Sequence, residues 1–483
     1  MADIAIVGGS VAGLASALAL NQGGHEVHIL ERDATDPPET VEQAHSEWPR
    51  PTVPQAVHSH AFASLGVRLL LERAPEIYRA LVRAGADEIR LGERMPPTLT
   101  DSSAEPGDDE LQMLGMRRST FELVLRREVL RRPGIRLSPG VTVRGLELAA
   151  TGKPRVTGVR AADGHVVPAD IVIDASGRKS AAAKWLSDVG SPVAGGRVED
   201  CGISYYTRFY RFLGQRPPGP LNRGFGAGGL WDFYTAVLFL CDNRTFSISV
   251  GVLPEDSEMK VLRTEEAFTA AVRATPLLAP WLEPGISEPI SGVTAMGGLD
   301  NSLCAAGAGA QRPLLGFFAV GDSVCTTNPA YGRGVSLALA HAYELADGLA
   351  LYPDVSAEQF TEVNRATERL MTPWWTDAVF NDRGRAGLWR ATLRGTPMPA
   401  PPDGIVTFGT AAAAAATDPV VWRRLVRVMM ALAPPSSLYN DEEIRLRVKK
   451  ALAGAADHPP MPSPSREQFV KAVTAAAATN PTK

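Results

Sequence analysis

The sequence predicts an α/β fold: a parallel-sheet domain interleaved with an antiparallel sheet, followed by a helical C-terminal region. Three observations carry this. Residues 3–33, DIAIVGGSVAGLASALALNQGGHEVHILERD, read as strand, glycine turn, helix and second strand. Another strand–turn–helix, FFAVGDSVCTTNPAYGRGVSLALAHAYELADGLA, arrives only at 317–350. Between them, residues 200–300 turn aromatic and β-branched, with hairpin signals. The chain therefore divides into 1–195 and 311–352 for the first domain, 196–310 for the inserted sheet and 353–483 for the helical region.

With 483 residues, 45% of them apolar, the chain can fill more than one core. A net charge of −4 leaves no electrostatic footprint for nucleic acid. No window approaches twenty continuous apolar residues and strand-like sequence starts at Asp3, so neither a membrane span nor a leader is expected and the reading is cytoplasmic. Cys201, Cys241, Cys304 and Cys325 lack C-x-x-C spacing, which predicts reduced thiols and neither disulfides nor a zinc site.

In the first unit, the run Ile4–Val7 feeds Gly8-Gly9-Ser10-Val11-Ala12-Gly13, and Ala12, Ala15, Ala17 and Ala19 let the following helix lie close to a sheet. Glu31, followed by Arg32, ends the next strand, placed for a ribose 2′-OH. This is the Rossmann-like dinucleotide fingerprint, with Ser10 in place of the second glycine. Its hydroxyl can itself donate to a phosphate oxygen. Residues 34–60 form a Pro-rich irregular loop ending in VPQAVHSH. His58 and His60 read equally well as cofactor or substrate contacts and as surface residues; no third ligand suggests a metal. Phe62–Ala84 has helical periodicity, and 98–110 is a solvent loop. MRRSTFELVLRREVLRRPGIRL reads as a helix with Phe121, Leu125 and Val129 as its apolar stripe; most of the arginines should be solvated, and Arg118 at the helix entry is favoured for a phosphate. Short strands then lead to Ile171–Ile173 and the block Asp174-Ala175-Ser176-Gly177.

Within the inserted sheet, Tyr205, Phe209, Trp231, Phe233 and Phe239 are candidates for an apolar pocket, although sheet packing explains most such residues. At the return, Gly321-Asp322 breaks a buried strand, and Pro329, Gly332 and Gly334 precede a helix of small residues. The Asp322 carboxylate suits sugar-like hydroxyls. The Gly332–Gly334 loop lets backbone N–H groups approach an electron-rich ring where the helix dipole favours negative charge. Downstream, amphipathic helices alternate with Pro-rich breaks. Trp374-Trp375 and Val428–Met430 read as helix packing or as the cap of an apolar cavity.

In order, GGSVAG…LERD, VIDASGRKS and AVGDSVCTTNPAYGRGVSLA resemble the FAD-dependent monooxygenases of the p-hydroxybenzoate hydroxylase type, a family that includes squalene epoxidase. The resemblance implies two interleaved domains and non-covalent FAD. It puts Gly8, Ser10 and Gly13 at the pyrophosphate and Glu31 on the adenosine ribose, with Gly9, Val11, Ala12 and Arg32 also among the cofactor-binding residues. It further implies Arg118 near the cofactor, Asp322 on the ribitol, and Pro329, Gly332 and Gly334 beside the isoalloxazine. VPQAVHSH and the helical extension resemble a bacterial branch acting on polyketides and related natural products, polyether epoxidases included.

Two departures shape the expectation. NADPH-using hydroxylases typically place Asp-Gly where this chain has Asp174-Ala175-Ser176-Gly177, so NAD(P)H is the ultimate reductant, either directly or through a flavin reductase. The tryptophan-containing motif of flavin halogenases is missing. The expected reaction inserts one oxygen atom of O2 into a small apolar substrate through a flavin C4a-hydroperoxide. An alkene needs no protein base, whereas a phenol does, and no Tyr/His/Asp constellation is assigned to one. Epoxidation of an alkene is therefore favoured over aromatic hydroxylation, and no catalytic side chain is named. A flavin-dependent C=C reductase of prenyl chains and a non-enzymatic lipid-binding protein are the rivals.

Overall fold

A computed structural model describes residues 1–99, 101–193, 195–304, 313–397, 405–453 and 462–478. Parts of the Pro-rich breaks near 400 and 460, the boundary at 310/311 and the last five residues lie outside these.

Five strands form one all-parallel sheet, in the order Phe317–Ala319, Ile171–Asp174, Asp3–Val7, Glu26–Glu31, Ile135–Pro139. The three inner strands carry β-branched and aliphatic runs buried on both faces, as a sheet covered on both sides requires. The edge strand Ile135–Pro139 is partly exposed and was expected to continue the preceding helix; that helix stops at Leu130, and Pro133 and the left-handed Gly134 turn the chain into the strand. Chain order and spatial order differ. The strand that arrives at Phe317 pairs with Ile171–Asp174, so the first and last motifs open at the same end of the sheet. Helix Val11–Gln22, rich in alanine, packs against helix Gly334–Leu351.

The second sheet is antiparallel, in the order Gly226–Leu230, Tyr234–Leu240, Thr245–Val252, Ser204–Phe212, Ser287–Pro289. Its central hairpin turns at Asn243-Arg244, with φ of 54° and 57°, the pair of left-handed residues that a type I′ turn needs. One face (Tyr206, Tyr210, Tyr234, Leu238, Phe246, Ile248) is sealed by Phe268, Trp281 and Phe469 from later helices. The other face turns toward the loop ending at His60. Both faces are thus buried.

The loop 34–60 is less irregular than its composition predicts. Thr40 and Gln43 form a reciprocal capping box that starts a helix at Val41–Ser46, and a 3₁₀ turn covers Pro54–Val57. After the second motif, a single helix runs Ala357–Arg394 straight through Pro373. Its start packs on the parallel sheet, Phe360 against Phe318, and near its end the Trp389 indole donates to the Trp231 carbonyl at 2.8 Å. This helix therefore spans both sheets. Among the described residues, no helix is long and apolar enough to cross a membrane.

Candidate active site

The first motif folds into a turn that only glycine permits at two points. Gly8 has φ +109°, and a Cβ there would lie 2.5 Å from the Ala175 carbonyl oxygen. A Cβ on Gly13 would lie 1.9 Å from the Gly8 carbonyl oxygen, so the helix can start this close to the strand only without a side chain. Ser10 caps helix Val11–Gln22 in an extended conformation. Its hydroxyl makes no capping bond and instead accepts from Arg118 Nη2 at 3.1 Å. The Glu31 carboxylate, buried at the end of its strand, accepts from the Gly9 N–H at 2.7 Å and the Asp33 N–H at 2.8 Å. Val11 is buried, Ala12 half-buried, and Arg32 points into solvent.

The return motif closes onto this turn. A Cβ on Gly321, whose φ is +60°, would sit 2.8 Å from the Ala12 side chain. The Gly321 N–H donates to His341 Nδ1 at 3.1 Å, which leaves His341 Nε2–H to donate to Thr367 at 3.0 Å. Burial lowers the His341 pKa to about 4, so the neutral ring holds the turn. The Asp322 carboxyl accepts no hydrogen bond from a described residue. Burial raises its pKa, opposed by Arg118 and Arg178. Gly332, left-handed at φ +63°, presses on Ala61, where a Cβ would come within 2.9 Å. At Gly334 a Cβ would meet only open space, and Pro329 and Gly334 both line an exposed lip.

The middle block joins the two. Asp174 is fully buried, accepting from the Ser176 N–H at 3.0 Å and from the hydroxyls of Ser176 and Ser180. The Gly177 N–H donates to Ser323 Oγ at 2.8 Å. This block is therefore a brace under the Gly321–Ser323 turn.

These residues fit FAD. The Gly8–Gly13 turn, with Arg118 reaching its serine, offers N–H and guanidinium donors for a pyrophosphate. Glu31, at the end of its strand beside Gly9, would hold a ribose hydroxyl, Asp322 has free acceptor capacity for a polyol, and Gly334 leaves the space a Cβ would fill.

Other expected residues sit in distinct settings. His58 Nδ1 lies 3.1 Å from Thr207 Oγ1, the start of a chain of hydroxyls through Ser249, Ser59 and Ser247. His60 Nδ1 lies 2.9 Å from the His58 carbonyl, which can only accept, so the proton is on Nδ1 and Nε2 keeps its lone pair. Burial lowers His58 to about 4; burial, then Arg118, lowers His60 to about 3. His60 shares a small cleft with Arg118, Phe121 and Val335. The five aromatic candidates do not form one wall. Phe209 packs edge-on against His45, Phe239 stacks on Phe225, and Tyr205 donates to Asn328 at 2.7 Å. Trp231 and Phe233 pack on Tyr234, with Phe233 also against Phe469.

The arginines were expected mostly in solvent, and here the fold differs. Arg117 is buried in a two-pronged pair with Asp242 and reaches Glu42. Arg118, Glu122 and Arg126 repeat every four residues on one buried face of helix Arg118–Leu130. Glu122 bridges Arg118 at 2.8 Å and Arg50 at 2.7 Å. Arg126 is only 4% exposed, and its Nε and Nη1 have no hydrogen-bond partner. Burial and Arg50 lower its pKa. Only the spacing of four could have marked this face, since its charges read as a solvated stripe.

No family model matches the chain. It is 26% identical over 447 residues to "Protein Rv3254" of Mycobacterium tuberculosis, 86% of each chain being covered. Among solved structures, it superposes on the OxyS anhydrotetracycline hydroxylase of Streptomyces rimosus with a TM-score of 0.54 at 18% identity, covering 89% of this chain and 76% of that one. PqsL of Pseudomonas aeruginosa gives 0.55 at 15% identity, over 80% and 96% of the two chains. The chain has the fold of the FAD-dependent monooxygenases. It also superposes on a flavoprotein/dehydrogenase from Cytophaga hutchinsonii, with a TM-score of 0.59 at 15% identity over 94% of this chain and 99% of that one.

Proposed function

We propose that this chain is an FAD-dependent monooxygenase that places one oxygen atom of O2 on a small organic substrate, with epoxidation of an apolar alkene as its reaction. The observation that carries the reading is the return turn. An Asp322 carboxyl with free acceptor capacity and an open Gly334 lie on a loop packed against Ala12 of the nucleotide turn. Bound flavin, once reduced by electrons from NAD(P)H, supplies the chemistry that activates O2. The protein's tasks are to hold and enclose. Arg118 and the N–H groups of the first turn take the pyrophosphate, Glu31 the ribose and Asp322 the ribitol. The N-terminus of helix Gly334–Leu351 favours negative charge on the ring. His58 and His60, kept neutral by burial, add no charge to the cleft.

One observation favours aromatic hydroxylation instead. The buried chain from His58 through Thr207, Ser249 and Ser59 gives a route along which a phenolic proton can leave. The test is direct. The purified chain should be yellow and release FAD on denaturation. With ¹⁸O₂ and candidate alkenes and phenols, product mass and NMR separate epoxide from phenol. A colourless chain that FAD cannot reconstitute refutes the assignment and promotes the lipid-binding alternative; a flavoprotein that saturates a C=C bond without productive oxygen uptake promotes the reductase.

A further inference from the structure

Helix Ala357–Arg394 contributes one carboxylate on which four donors converge, from Asn301, the turn at 328–331 and the helix itself. Asp382 is 2% exposed. Its Oδ1 accepts from Asn328 Nδ2 at 2.7 Å, the Tyr331 hydroxyl at 2.9 Å and Arg385 Nη2 at 3.0 Å. Its Oδ2 accepts from Asn301 Nδ2 at 2.8 Å. A carboxylate has about four lone-pair sites; here three donors share Oδ1 and one binds Oδ2.

The second layer is as fully used. Asn328 gives its N–H to Asn301 Oδ1 at 2.8 Å, and its own Oδ1 accepts from the Ala330 N–H at 3.0 Å and from the Tyr205 hydroxyl at 2.7 Å. Tyr205 belongs to strand Ser204–Phe212 of the antiparallel sheet, and Arg385 also donates to the carbonyls of Cys201 and Gly202 just before it. Asn328 and Tyr331 flank Pro329 on the turn that leads into Gly332 and Gly334. One buried anion thus sets the turn and connects it to the sheet.

We infer that Asp382 is a positioning residue for the cofactor ring: it fixes the 328–334 turn and couples its placement to Tyr205 of the antiparallel sheet. This rests on the FAD reading above. An amide cannot substitute, because its NH2 end would face either Asn301 Nδ2 or the three donors on the other oxygen. The conserved shape of the side chain does not help when its acceptor capacity is halved.

The test uses the full chain loaded with FAD and three variants. Asp382→Asn removes the hub, and Tyr205→Phe removes only the link to the sheet. Asp256→Asn is a control: Asp256 is also buried, but it pairs with Arg466 away from the turn. The readouts are FAD affinity, visible circular dichroism of the bound flavin, its midpoint potential, and melting temperature. Asp382→Asn should weaken FAD binding about tenfold to hundredfold, the range for a charge-assisted hydrogen bond, and shift both the flavin dichroism and the potential. Tyr205→Phe should shift the same two signatures less and in the same direction. Asp256→Asn should lower the melting temperature and leave the flavin signatures in place. A flavin-loaded chain whose dichroism and potential ignore both Asp382→Asn and Tyr205→Phe overturns the inference alone. So does a control that moves them as far as Asp382→Asn does. If Asp382→Asn does not fold, Tyr205→Phe decides by the same two signatures. A wild-type chain that takes up no FAD overturns the functional reading and this inference with it.

Discussion

Acid should loosen the Gly321–Ser323 turn through one ring. His341 Nδ1 accepts from the Gly321 N–H, and the residue is 1% exposed, with its pKa lowered by burial from 6.5 to about 4. The unfolded chain takes up a proton near pH 6.5, whereas the folded chain resists it until about pH 4. Folding stability is therefore unaffected above pH 6.5 and falls as pH drops through the window to about 4. At about 1.4 kcal/mol per pH unit, the loss reaches roughly 3 kcal/mol at its limit and about 2.5 kcal/mol at pH 4.5. His341→Gln isolates this term. A glutamine can accept from the Gly321 N–H and donate to Thr367 but does not titrate, while the other histidines whose pKa burial lowers (His25, His28, His45, His58 and His60) contribute equally to both proteins. Urea unfolding of the FAD-free chains at pH 7 and pH 4.5 should show the wild type losing about 2.5 kcal/mol more than the variant. Protonation also sets Nδ1–H against the Gly321 N–H, so loaded wild type should release FAD at a higher pH than the variant. Parallel pH curves for the two proteins would refute the reasoning.

Asp322→Ala should weaken FAD binding about tenfold to hundredfold with the fold retained, since a hydrogen bond to a charged group is worth roughly 1.5–3 kcal/mol; unchanged affinity in a flavin titration would take Asp322 out of the cofactor site. Gly13→Ala should abolish FAD retention and lower the melting temperature, because its Cβ would stand 1.9 Å from the Gly8 carbonyl oxygen. Arg126→Met should raise the urea midpoint of the FAD-free chain, because burial and Arg50 outweigh the attraction of Glu122, Glu31 and Asp33 for this cation, whose Nε and Nη1 have no hydrogen-bond partner; a lowered midpoint would show that those carboxylates need it. NADPH alone should reduce the flavin slowly and a flavin reductase should restore turnover, because orientation at a nicotinamide site is worth about 7–11 kcal/mol and Asp174 is occupied by its own serines. Anaerobic stopped-flow mixing with substrate present checks this, and bleaching at the turnover rate without a reductase would contradict it.

The contrast between what could and could not be read from the chain has a physical cause. Gly8, Gly13, Gly321 and Gly332 were legible because a backbone forced into close approach or a left-handed turn excludes other residues, and that exclusion is written at single positions. Four of the five parallel strands were legible for a similar local reason, as short apolar runs; the partly exposed edge strand Ile135–Pro139 has no such run and reads in sequence as the end of a helix. Asp382, Arg126 and the Thr207–Ser249–Ser59 chain were not, because each is a polar group whose role depends on what covers it. On a helix, Arg118, Glu122 and Arg126 at intervals of four look like a solvated stripe until another segment buries them. Along Ser204–Phe212, a period of two separates the two faces but says nothing of the layer above each. Aromatic Tyr206 and Tyr210 were sealed by later helices, while Thr207 met His58 and Tyr205 met Asn328. The hydroxyls of Thr207 and Ser249 and the Tyr205 phenol thus mark where the antiparallel sheet meets the loop ending at His60 and the turn at Asn328, and large side chains alone were a poor guide to it. A polar group taken out of water must find partners, so the partners of Asp382 and Thr207 locate this boundary more sharply than apolar volume does.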